Sequence, residues 1–225
     1  MCIEVRLRNG IVLYMSRLTN PSKERNRSLM AACPVRRRGD ALVEAIFSAT
    51  IEILAESGYS GLSMEAVALR SHTGKASLYR RWSHKVDLVV DALEYEIDRC
   101  EIPLDLSDLR SGLINKMNSM SIAFSGNLGR ATAGCLSEFS REPKLQEATE
   151  ERIIKPRREQ MMQSLRMAVE SGQIKPESVT PILPTLALSF SMHSLTFEGR
   201  PPNPQEVEQF VDTVMMPLLE SKEAV

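Results

Sequence analysis

The sequence predicts an all-α fold of about nine helices, in which a group of short helices precedes a larger helical body. Three observations carry this. From Asp40 onward apolar residues recur at steps of three and four, the period of an amphipathic helix. No segment alternates convincingly with period two, as a half-buried strand would. Glycines, prolines and cap-forming side chains interrupt the apolar stripes at helix-length intervals, and no stretch repeats with a solenoid period.

The 225 residues, 43% of them hydrophobic, suffice for one large domain or two small ones around an ordinary core. Charge is balanced overall, with 28 Lys and Arg against 29 Asp and Glu, yet residues 1–40 hold nine Lys or Arg and three acids. The positive charge is therefore concentrated at the N-terminal end. Cys2, Cys33, Cys100 and Cys135 lie far apart, with no Cys-x-x-Cys pair and no His at ligand spacing. Neither a disulfide framework nor a metal site is expected, and a reducing cytoplasm is the natural location. No apolar run approaches the ~18–20 residues of a membrane span, so no membrane partner is expected.

Residues 1–38 lack sustained periodicity and are expected to form a disordered basic extension, with Met15 and Met30 as alternative translation starts. Helix one follows from Asp40 on the stripe Leu42, Ile46, Ala49 and Ile53, and Gly58 stops it. Ser63 is a good N-cap for helix two, with Glu65 in its first turn. Residues 71–74 read as a turn and 75–82 as helix three, giving a helix-turn-helix over about 63–82 inside a domain of 39–85. A connecting helix and linker occupy 86–104, with Asp105 and Ser107 as the next caps. The domain 105–225 continues with the stripes Leu109–Phe124 and Ala131–Phe139, a helix over about 145–170 interrupted at Pro156, and two more over about 180–197 and 205–219.

Helix three carries the chemistry. On a wheel advancing ~100° per residue, Leu78 and Trp82 face one side, while Ala76, Ser77 and Arg80 take the opposite arc with Tyr79 and Arg81 beside it. Lys75, in the first turn, can swing its long stem outward. Cations that neutralise phosphates or bond guanine, hydroxyls that bond phosphates or base edges, and a small Ala76 that permits close approach suit a helix entering a major groove. Arg36, Arg37 and Arg38 before helix one either reach the DNA as a flexible arm or are a solvated basic tag.

Residues 62–68 (LSMEAVA), 74–82 (GKASLYRRW) and Lys85-x-Asp87-Leu88 resemble the signature of the tetracycline-repressor-like (TetR/AcrR) transcriptional regulators. The resemblance implies that Ser63 begins helix two near the DNA backbone, that Lys75, Ser77 and Tyr79 lie on the recognition helix, that Arg80 adds a base or phosphate contact, and that Lys85 reaches a phosphate. Two departures stand out: Ser71-His72-Thr73 replaces the usual Ala-Gly-Val turn, and Ser83-His84 the usual Pro-Ser.

In that family the C-terminal domain binds a small molecule and supplies the dimer contact through its last two long helices. Carried over, Leu186, Phe190, Phe197, Phe210, Val214 and Leu218 offer a dimer surface. Met117, Met120, Phe124, Cys135, Phe139, Met161 and Met162 fall on helices that surround an effector pocket. Two recognition helices about one DNA turn apart then read a palindrome. The function expected is a cytoplasmic, homodimeric DNA-binding regulator, a repressor released from a double-stranded operator by a small apolar or amphipathic effector, with no cofactor, metal or catalytic residue. The rival readings are an all-helical enzyme and a helical interaction module with a basic surface.

Overall fold

The computed structural model describes residues 3–6, 12–15 and 39–220. Strands β1 (Ile3–Arg6) and β2 (Val12–Met15) pair antiparallel, Ile3 opposite Met15 and Arg6 opposite Val12. These eight residues fall within the stretch 1–38 expected to be a disordered extension, the rest of which, up to residue 38, lies outside the described residues; four-residue strands are too short for a periodicity test. Arg36, Arg37 and Arg38 lie outside the described residues.

From residue 39 the chain is helical. Helix α1 (Asp40–Gly61) breaks at Gly58, whose φ of +67° is the left-handed region that favours glycine. Helices α2 (Met64–Arg70), α3 (Lys75–Tyr79) and α4 (Lys85–Cys100) complete the N-terminal group. The body contains α5 (Leu109–Ala123), α6 (Asn127–Leu136), α7 (Pro143–Thr149), α8 (Lys155–Glu170), α9 (Ile182–His193), α10 (Pro204–Phe210) and α11 (Met216–Glu220). Widened π-turns over Glu150–Ile154 and Val211–Met215 join α7 to α8 and α10 to α11, so the described chain forms nine continuous rods.

Three local expectations change. The 145–170 rod passes Pro156 without a break, because Lys155 donates to Glu150 O five residues back and the widened turn makes room for a proline that has no N–H. The cap before α5 is Asp108, which accepts from Ser111 N at 3.3 Å; Asp105 and Ser107 bond each other instead. The stripe through Phe139 ends early, since α6 stops at Leu136 and Phe139 lies in the turns that follow.

Two apolar cores hold the body. The first joins α1–α4, through Ile46, Leu54, Val67, Leu78, Trp82 and Leu88, to Leu128, Ala131 and Cys135 of α6, Leu145 of α7, Ile153 and Leu195. The second gathers Leu113 and Met117 of α5, Leu165 of α8, Leu183 of α9, and Val207, Val211, Met215 and Leu219 of the last rod. Helix α6 crosses α1 closely: a Cβ added at Gly134 would stand 3.3 Å from Gly58 Cα. The helices that read as a separate N-terminal domain thus share a core with part of the body.

Candidate nucleic-acid interface and effector cavity

Five residues make α3 too short to stand alone, so its orientation comes from packing. Leu78 is fully buried and Trp82 nearly so, with the Trp82 ring centroid 5.6 Å from that of Phe47. Ser63 caps α2 by accepting from Ala66 N at 3.1 Å. The α2–α3 turn closes as a Schellman motif: Thr73 N donates to Ala68 O and His72 N to Leu69 O. His72 stands at the left-handed position of that motif with φ +54°.

This bracing leaves Lys75, Ala76, Tyr79, Arg80 and Arg81 exposed and Ser77 half-buried. The structure brings Lys75 and Tyr79 together on Glu65 of α2, whose carboxylate lies 3.7 Å from the Lys75 ammonium and accepts from Tyr79 Oη at 3.2 Å. Among the described residues Arg80 and Arg81 form no ion pair. Sequence reasoning noted Glu65 only as a helix-start acid. Its spacing, ten residues before Lys75 and fourteen before Tyr79, carries no periodic signal; only the fold of the turn makes them neighbours.

Lys85 is braced by Tyr59. Its ammonium donates to Tyr59 O at 3.0 Å and sits 3.8 Å from the centre of the Tyr59 ring, which leaves two of its three protons for other acceptors. Burial is the first cause that pushes the Tyr59 hydroxyl up to about 12. The α4 N-terminus beside it has no side-chain cap, because His84 supplies none.

Behind α3, Trp82 Nε1 donates to Asp91 Oδ2 at 2.6 Å. The other carboxylate oxygen of Asp91 pairs with Arg152 at 2.6 Å, and Arg152 also bonds Glu94 at 2.6 Å. A hydrogen-bonded chain therefore runs from the end of the recognition helix through α4 to the π-turn between α7 and α8.

The same π-turn walls a cavity of about 160 Å³ at the seam of the two cores. Its lining comes from α4, α5, α6, the α7–α8 rod and α9, and is almost wholly apolar apart from a charged rim of Glu101, Lys116, Arg157 and Arg158. Of the residues expected at a pocket, Met117, Met120, Phe124 and Met161 line this cavity, whereas Cys135, Phe139 and Met162 do not. Cys135 instead packs in the first core, and burial pushes its thiol up to about 12, which leaves it no reactive thiolate. Leu93 and Ile97 on α4, and Ala187, Leu188 and Met192 on α9, also line it and were not among the expected residues, because an apolar helix stripe does not distinguish a cavity wall from solid core.

On the expected dimer face, Phe190 and Phe210 stack within the chain, ring centroids 4.2 Å apart, and Leu186 and Val214 are half-buried. Phe197, 79% exposed, and Leu218, 41% exposed, remain outward-facing. No helix among the described residues is long and apolar enough to cross a membrane, and no group of His, Cys, Asp and Glu among them is arranged to hold a metal.

Residues 46–92 match the family described as bacterial regulatory proteins, tetR family, and residues 102–214 match the tetracyclin repressor-like C-terminal domain. The chain is 28% identical over 174 residues to the uncharacterized HTH-type transcriptional regulator Rv1556 of Mycobacterium tuberculosis, a match spanning 77% of this chain and 86% of that one. It is 24% identical over 183 residues to the DNA-binding transcriptional repressor TetR of Mycobacteroides abscessus, across 81% of this chain and 96% of the relative. The crystal structure of the TetR family transcription regulator SCO0332 has the same fold, with a TM-score of 0.65 at 22% identity over 79% of this chain and 98% of that one. With family matches over both the helix-turn-helix and more than half of the chain beyond it, the chain belongs to the TetR family of DNA-binding transcriptional regulators.

Proposed function

We propose that the protein is a cytoplasmic, homodimeric repressor that binds a palindromic operator and leaves it when a small apolar or amphipathic effector fills the cavity between the two cores. The observation that carries the DNA reading is the outward face of α3, where two hydroxyls and three cations surround the small Ala76 while Leu78 and Trp82 anchor the helix from behind. Lys75, Ser77, Tyr79 and Arg80 contact base edges and phosphates, Ser63 sets α2 against the backbone, and Lys85, beside the uncapped N–H groups of α4, reaches a phosphate. The Mycobacteroides abscessus relative, named as a repressor, favours repression over activation. Phe197 and Leu218 supply apolar surface for the second copy, and two half-site contacts combine into one useful affinity.

Release is a population shift: a ligand that prefers one arrangement of the α7–α8 rod biases α4 and, with it, the spacing of the two recognition helices. Selection of bound duplexes from a random pool tests the reading directly. The pool is expected to converge on an inverted repeat with half-sites about one helical turn apart. The Lys75→Ala, Tyr79→Ala double variant is expected to lose that binding, by about a hundredfold or more, while its melting temperature stays near that of the wild type. A pool that fails to converge, or unchanged affinity in the double variant, rules the reading out.

A further inference from the structure

We propose that the cavity takes a ligand with an aliphatic body and an anionic, carboxylate-like head, an inference that rests on the effector reading above. The body follows from the walls. Met117, Met120, Met161 and Met192 contribute deformable thioether chains, and Phe124 is the single aromatic lining residue. Such a surface moulds to a flexible alkyl chain and offers little stacking area to a flat ring. At about 160 Å³ the cavity holds a small apolar group as it stands, and the methionines can yield to a longer one.

The head follows from the donors and acceptors at the rim. Lys116, Arg157 and Arg158 line it against one carboxylate, Glu101. Both oxygens of Glu101 are engaged, Oε1 with Lys116 at 3.1 Å and Oε2 with Arg157 Nε at 3.3 Å. The carboxylate is held by two cations, and donors remain. Lys116 uses two of its three protons, on Glu101 and on Ile102 O. Arg157 uses its terminal nitrogens on Ile153 O and Asp98, while its Nε, shielded from solvent, lies within ion-pair range of Glu101 without hydrogen-bond geometry. A cationic ligand would meet three positive side chains and, as uncharged acceptors, only the hydroxyls of Thr132 and Thr149. With Asp98 and Glu150 counted beside Glu101 the three cations are balanced in charge, so the preference rests on unused donors: a carboxylate brings acceptors to Arg157 Nε and to the third Lys116 proton.

Calorimetric titration of the full-length protein with octanoate, 1-octanol and octylammonium compares three heads on one chain. Octanoate is expected to bind about tenfold more tightly than 1-octanol, and octylammonium not measurably. Arg157→Gln is expected to weaken octanoate about tenfold and to leave 1-octanol within about threefold; Lys116→Gln gives the same pattern should the first variant fold poorly. Met161→Trp, which fills the cavity, should abolish both. If 1-octanol or octylammonium binds as tightly as octanoate and Met161→Trp still abolishes it, the anionic head is overturned while the effector cavity stands. If no alkyl chain of about six to twelve carbons binds with any head, the cavity reading falls and takes the head with it.

Discussion

His72 occupies a conformation that costs an L-residue about 1 kcal/mol or more. The Schellman turn demands it, and the same motif at the end of α8 meets the demand with Gly172 at φ +76°. His72→Gly should therefore raise stability by about 0.5–1 kcal/mol, or about 1–4 °C in melting temperature, without altering DNA affinity. An unchanged or lowered melting temperature would show that the imidazole contributes something beyond filling the turn. Glu65 acts in the opposite sense on function. Because it neutralises Lys75 and holds Tyr79, Glu65→Gln should strengthen binding to non-cognate duplex DNA about two- to fivefold, the worth of an exposed ion pair, and make it more sensitive to salt. Fluorescence anisotropy across a salt series checks both. The residue types at this surface were legible in the sequence, since Leu78 and Trp82 fix which arc of α3 faces outward. What was not legible is pairing across the turn: neither the Glu65 contact nor the commitment of Lys85 to Tyr59 follows from helical spacing.

At the scale of the elements, helix existence was legible from apolar period and punctuation, and the misjudged details share a cause. Pro156 was read as an interruption, whereas Pro217 lay inside the expected 205–219 helix; each follows a residue that bonds five back, Lys155 to Glu150 and Met216 to Val211, so the rods continue through both. A local widening of the turn absorbs the missing N–H, and no one-dimensional pattern announces it. The segment 199–204 between the last two rods starts α10 with a capping box. Asn203 Oδ1 accepts from the amides of Gln205 and Glu206, Glu206 accepts from Asn203 N, and Arg200 bonds both Glu206 oxygens. The Arg200 hydrogen bonds, then that from Asn203 N, lower the Glu206 carboxyl from its ordinary 4.5 to about 2. A carboxylate depressed on folding stabilises fully above its unfolded pKa and loses that contribution as pH falls through the folded value. Stability owed to this cap should therefore be intact above pH 4.5 and fade towards pH 2, and Glu206→Gln should flatten that part of the melting-temperature profile. A profile unaffected by the substitution would place the acid sensitivity elsewhere.

Across the whole molecule, the sequence places a helix-turn-helix before a larger helical body, but the packing does not keep them apart. The first core runs from Leu78 of the recognition helix to Ile153 of the α7–α8 rod, and Ile153 also lines the cavity. Its neighbour Arg152 holds Asp91, which in turn holds Trp82. Under the proposed effector reading, a ligand that pushes on the π-turn meets a side-chain chain ending behind α3, and long-range coupling of this kind typically amounts to a 5–150-fold change in affinity. Geometry alone does not establish coupling, so the relay must be tested by a cycle. Met120→Trp places an indole in the cavity and should mimic a bound effector, weakening operator binding by about tenfold. Arg152→Met removes both ion pairs while keeping an apolar stem of similar length, and should shift operator affinity by less than about threefold alone. In combination, the Met120→Trp penalty should largely vanish, because the filled cavity can no longer pull on Asp91. If the two effects simply multiply, the signal travels by another route, and the close crossing of α6 over α1 at Gly134 is then the path to examine.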